Sequence, residues 1–200
     1  MKNLIMISVI LFVGSFSSTA YGQFIVKGGP GVSGVTMKER GGVRNSNFRS
    51  SFSFHVGGAY EIEVSDFISI EPGVSFTGKG FNVARRGTDL NARMLFIEVP
   101  IAVKGYFLDI GDGGRLFGLA GGYTSFMLSY KLNGVKQPIG NTTEDRLKRF
   151  DMGLTFGAGV ELFESLVIVP SFDFGLANLS NTSNEINRIN VFKLTVGYKF

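Results

Sequence analysis

The feature that most limits how this chain can fold is a period of two. In "FSFHVGGAYEIEV", Phe52, Phe54, Val56, Tyr60, Ile62 and Val64 share one parity, and Ser53, His55, Gly57, Ala59, Glu61 and Glu63 share the other. Successive side chains of a β-strand point to opposite faces, so the stretch reads as a strand with one apolar face and one face of polar or small residues. "FDMGLTFGAGVEL" repeats the split, with Phe150, Met152, Leu154, Phe156, Val160 and Leu162 opposing Asp151, Gly153, Thr155, Gly157, Gly159 and Glu161. The closing "NVFKLTVGYKF" does so again, Phe192, Leu194, Val196, Tyr198 and Phe200 against Lys193, Thr195, Gly197 and Lys199.

Extended along the chain, the pattern predicts eight strands near residues 24–35, 52–64, 67–78, 94–105, 116–129, 150–162, 166–178 and 190–200. Long polar segments follow the odd strands and shorter links such as "SD" and "FES" follow most even ones. That alternation places one set of connections at each end of an antiparallel meander. An even number of strands with short turns on one rim and long loops on the other is the layout of an eight-stranded, up-and-down transmembrane β-barrel of the outer membrane. A soluble barrel of the lipocalin sort also alternates. Its outer face would be polar, however, and here the polar parity is rich in Gly and carries few charges.

The N-terminus points to export. Lys2 precedes the apolar run "LIMISVILFV" and the small residues "GSFSSTAYG". This is the order of a secretory signal, expected to span residues 1–22 and to leave a barrel domain at 23–200. The apolar core is shorter than the roughly 20 residues of a spanning helix. With no Cys in the chain, stability after export does not depend on disulfides.

The polar parity also predicts the bore. Glu61, Glu71, Glu98, Asp151, Glu161 and Asp173 fall on it with Lys27, Lys104, Lys193 and Lys199, among many glycines. Eight strands enclose a space that side chains can fill. Unpaired charge there costs several kcal/mol, so a linked set of ion pairs and a plugged bore are expected. The segments 36–51, 79–93, 130–149 and 179–189 hold 14 Lys and Arg against 5 Asp and Glu. Basic extracellular loops result, and 36–51, 79–93 and 130–149 are the expected contact surface for anionic lipid, lipopolysaccharide or a surface partner. Pro72 and Pro100 fall within strands, where bulges are expected. Phe67, Phe107, Tyr123, Tyr130, Phe163, Tyr198 and Phe200 are candidates for interfacial aromatic girdles.

"FISIEPGVSFTGKG", "LFIEVPIAVKGYF" and "FDMGLTFGAGVEL" together resemble the porin-family outer-membrane β-barrel domain that includes the PorT type. The resemblance rests on Ile97, Glu98, Val99, Pro100 and Ile101, then on Asp151, Gly153, Gly157 and Gly159. It implies an integral outer-membrane barrel, and for the PorT branch a part in protein secretion across that membrane. The terminal Phe200 resembles the end signal read by barrel-assembly machinery, an expected partner during insertion.

Chemistry is thinly represented. His55 is the only histidine. Ser53 shares its face, and Glu71 or Ser75 is placed to lie across from it, so a lipid-modifying nucleophile and base is one alternative. Their parity puts them in the bore, away from lipid, and the expectation is a protein with no enzymatic activity and no catalytic residues. One His and no Cys argue against a transition-metal site, and no cofactor is expected. Export argues against nucleic acid, and a monomer is expected.

Overall fold

The computed structural model describes residues 22–39, 48–85, 88–111, 113–140, 145, 147–181 and 185–200. The expected signal, apart from Gly22, lies outside the described residues. Nine strands occur in chain order: β1 Gly22–Glu39, β2 Phe48–Ser65, β3 Ile68–Arg85, β4 Thr88–Asp109, β5 Arg115–Leu132, β6 Val135–Lys136, β7 Phe150–Leu162, β8 Leu166–Gly175 and β9 Glu185–Lys199. Leaving aside the two-residue β6, they form one antiparallel sheet, each strand beside its predecessor. β4–β5 and β9–β1 pairings close it into an eight-stranded barrel. At the β1–β9 seam Val26 faces Tyr198 and Val32 faces Phe192, so neither strand leaves an open edge.

Parity sorts the wall as the sequence predicts. Phe52, Phe54, Val56, Tyr60, Phe156, Phe192, Leu194 and Val196 are exposed on the outside, while Ser53, Glu61, Asp151, Glu161, Lys193 and Lys199 are buried inside. An outer wall of exposed aromatic and branched residues is stable only where the surroundings are as apolar as it is. Phe67, Phe107, Phe163, Tyr198 and Phe200 ring the short-turn rim, as expected for a girdle. Tyr123 and Tyr130 do not join it: both are buried in the bore, Tyr123 because it shares the parity of Ser125 and Met127, and Tyr130 because the register shift that pairs Phe96 with Met127 but Leu95 with Ser129 reverses the parity beyond it.

Most strands are longer than the sequence suggests, although β7 keeps its expected range and β8 stops at Gly175, short of residue 178. Only residues 40–47 separate β1 from β2, and 86–87 separate β3 from β4. Much of segments 36–51 and 79–93 is therefore hairpin, the polar outward residues there being wall that stands beyond lipid. β5 runs on to Leu132 and turns through Asn133 and Gly134, both at positive φ (49° and 83°), to pair Leu132 with Val135. Both central residues of this two-residue turn need positive φ, which Asn-Gly adopts readily. Ile139 and Leu147 then bridge, and Lys148 N donates to Leu179 O, which ties these residues of the connection to Leu179. Register shifts occur at Ser50/Phe54, Glu63/Ser65, Leu95/Phe96 and Tyr106/Leu108, not at the prolines. Pro72 pairs in register with Ile101, so the expected proline bulges are absent there: the missing N–H is accommodated without an extra residue.

Candidate functional site: the bore and the outer rim

The bore is layered. Nearest the short-turn rim, Tyr106, Phe117, Val167 and Val169 pack together, and a first charge network surrounds them. Lys104 Nζ lies 2.9 Å from Glu61 Oε2 and 2.6 Å from Glu71 Oε2, and Lys199 Nζ lies 3.1 Å from Glu61 Oε2 and 2.6 Å from Glu161 Oε2. Lys27 pairs with Glu71, and Arg115 joins Glu161 and Glu63 while stacking over the Tyr106 ring. Four bases meet four acids, so this network is balanced.

Above it lies a cavity of about 80 Å3 lined by His55, Thr195, Ser171, Thr155 and residues of both networks. A second network follows. The fully buried Lys79 sits 3.0 Å from Glu98 Oε2 and 3.4 Å from Asp151 Oδ2, and 4.6 Å from the centroid of Tyr123. Lys193 sits 2.8 Å from Glu98 Oε1 and 2.6 Å from Asp173 Oδ2. The acids outnumber the bases by three to two here.

The outermost layer is apolar: Phe81, Ala92, Met94, Phe96, Met127, Tyr130, Ile189 and Val191, covered by Leu179 with Ile139 and Leu147. The expectation of a polar bore is thus right for the inner and middle layers and wrong for the outer one. The residues that build it fall largely in stretches assigned to loops by their polar neighbours. Lys79 falls in such a stretch by its polar neighbours, and its side chain is instead fully buried in the bore. Continuing the β3 parity from Glu71 through Ser75 and Thr77 would have found it. The hairpin at "LNGV" was equally readable from its Asn-Gly pair.

The residues weighed for chemistry do not assemble. His55 is buried in the bore and its Nε2 lies 2.9 Å from Thr195 Oγ1, while Ser53 donates to Gly78 O. Glu71 is engaged by Lys27 and Lys104. Ser75 sits opposite Gly57 in the β2–β3 register, also inside. Among the described residues, no grouping of three or more His, Asp or Glu is placed to hold a metal ion.

The two rims differ in charge. At the outer end Arg49, Arg93, Lys131, Lys136, Arg149 and Arg188 are exposed. At the short-turn end the exposed charges include Asp66, Asp109 and Glu164. Among the described residues, exposed bases are thus concentrated at the outer end.

Known structures share this architecture. The outer membrane protein OprG from Pseudomonas aeruginosa superposes with a TM-score of 0.51 at 14% identity, covering 90% of this chain and 97% of that one. Neisserial surface protein A gives 0.50 at 13% identity, covering 88% and 97%. Outer Membrane Protein W of E. coli gives 0.46 at 17% identity, covering 92% and 100%. At such identities the likeness is one of fold. No curated protein matches the sequence. Residues 16–181 match the model of the outer membrane protein beta-barrel domain, a span that takes in seven of the eight wall strands. A greasy outer wall around a charged bore is what that domain requires of a sequence, and the chain belongs to this family as an integral protein of the outer membrane.

Proposed function

We propose that the protein is a non-conducting surface barrel, a structural or accessory component of the outer membrane that presents a basic rim to anionic surface material. The observation that carries this reading is the occupied bore. Among the described residues, two ion-pair networks and an apolar layer occupy it in succession, with a cavity of about 80 Å3 between the networks. What remains available for contact is the outside, where the bases of the outer rim lie. Planar-bilayer recording tests the first half: steady large conductance from the purified protein would overturn it. Binding of the protein in vesicles to an immobilised acidic polysaccharide tests the second, with the expectation that binding is lost when Arg49 and Arg188 are both changed to Ala.

A non-enzymatic role is part of the proposal. His55 and Ser53 hydrogen-bond to different partners inside the bore, which supports a packing role over a nucleophile and its base. An unchanged membrane lipid profile is expected for His55→Ala. A PorT-like part in secretion is supported by the family resemblance alone, carried by Ile97–Ile101 and by Asp151, Gly153, Gly157 and Gly159, and normal export of surface proteins from a deletion strain would remove it.

A further inference from the structure

On the outer wall near the loop end, three cations stand in one cross-strand row. Arg93 of β4 is directly opposite Lys131 of β5, and Lys131 is directly opposite Lys136 of β6. All three are exposed, and none forms an ion pair among the described residues. Like charges directly opposite on one face of a sheet repel, and no ion pair among the described residues offsets these. The row is thus suited to an anion from outside the protein.

The surroundings specify what kind of anion. One row closer to the membrane centre, Phe54, Gly78, Leu95 and Ser129 are cross-strand partners. The Phe54 ring lies flat over Gly78, where a Cβ would stand 2.8 Å from its Cδ1. With Phe52, Arg93 and Lys131 these residues line a groove of about 360 Å3 open on the outside of the barrel. One row further out, Asn82 pairs with Asn91, whose Nδ2 donates to Asn82 Oδ1 at 2.6 Å, and Asn133 Oδ1 accepts from Asn91 N at 2.8 Å. Arg93 Nε donates to Asn91 Oδ1 at 3.0 Å, which fixes the guanidinium stem and leaves its terminal nitrogens directed elsewhere. From the membrane outward the wall thus presents apolar groove, cations, then carboxamides. That arrangement suits a phosphorylated glycolipid whose sugar carries both acyl chains and phosphate, with the chains toward the groove, the phosphate on the cations and the sugar hydroxyls within reach of the carboxamides. Arg is suited to bidentate contact with phosphate, and Lys to a point charge beside it.

We propose that this face is a binding site for a phosphorylated glycolipid of the outer leaflet, with Arg93, Lys131 and Lys136 on its phosphate and an acyl chain in the groove beside Phe52, Phe54 and Leu95. The groove lies on the lipid-facing wall and the cations where the wall leaves the lipid, so the inference stands whether or not the rim meets a surface partner.

The test is native mass spectrometry of the purified full barrel, equilibrated in detergent with diphosphoryl lipid A, dephosphorylated lipid A or phosphatidylglycerol. The wild type is expected to retain one diphosphoryl lipid A, and to hold it at least about tenfold more tightly than either other lipid. The R93A/K131A variant is expected to lose that preference. A K148A/R149A variant, which removes the same charge from the same end, is expected to keep it. Equal retention by wild type and R93A/K131A overturns the proposal, as does equal loss in K148A/R149A, which would mean general attraction. Retention of phosphatidylglycerol as strong as that of diphosphoryl lipid A would overturn the assignment to a glycolipid. Heat-modifiable migration on gels confirms that each variant is folded, and Leu95→Trp, which fills the groove without changing charge, is expected to weaken binding in a barrel that still migrates as folded.

Discussion

Lys79 shows what a single residue can decide in a closed bore. Its ammonium is wholly enclosed by β-strand wall, two carboxylates and two aromatic rings. Removing one member of a buried ion pair costs about 3–5 kcal/mol because the partner charge remains. Lys79→Met is therefore expected to lower the unfolding free energy in urea by about that amount, and pairing it with Glu98→Gln is expected to recover part of the loss. A Lys79→Met barrel as stable as wild type would show that the network is ornamental. The sequence made ten of the bore's charged residues legible, since Glu61, Glu98, Lys104 and the others share a parity with their small neighbours. Lys79 escaped because "KGFNVARRGTDLNAR" reads as a loop by composition, and polarity alone does not separate a loop from a strand that has left the membrane.

Strands and turns explain the same gap at the next scale. Within lipid, the alternation of apolar and polar residues is enforced by the solvent on each side of the wall. Past the lipid both faces can be polar, so β1 to β5 continue for several residues after their pattern fades. Leu194 lies outward on β9, well inside the apolar belt. Leu194→Arg is expected to cost about 2–4 kcal/mol, the penalty for a cation on the lipid face near the midplane, read as a lower urea midpoint in vesicles. The β5–β6 hairpin behaves otherwise. Gly134 has φ of 83°, and Gly134→Val forces a branched residue into the left-handed region at about 1–2 kcal/mol. Amide exchange at Lys136 and Gln137 is expected to quicken while the barrel strands are unaffected, because β6 contributes nothing to closure.

At the scale of the molecule the fold was readable and the purpose only partly so. Eight strands, their order and their facing follow from parity and connection. The outer apolar layer was not expected, because it is assembled from β3, β4, β5 and β9 with the β5–β7 and β8–β9 connections, distant pieces that no local pattern brings together. Burial of the networks has a measurable sign: ions reach buried charges poorly. The urea midpoint of the wild type is expected to change little between low and moderate salt, whereas attraction of polyanions to the basic rim is expected to fall steeply over the same range.

Every base in the two networks reaches a strand that is not its neighbour: Lys27 spans β1 to β3, Lys79 β3 to β7, Lys104 β4 to β2, Arg115 β5 to β2, Lys193 β9 to β4 and Lys199 β9 to β2. The charges thus neutralise one another across the bore as well as between neighbouring strands, as in Lys104–Glu71 and Lys193–Asp173. A chain inserted short of a hairpin, or closed in the wrong register, would carry stranded charge facing hydrocarbon. The interior is in this sense a proofreading device, making the complete ring the one arrangement of these strands that a membrane will accept.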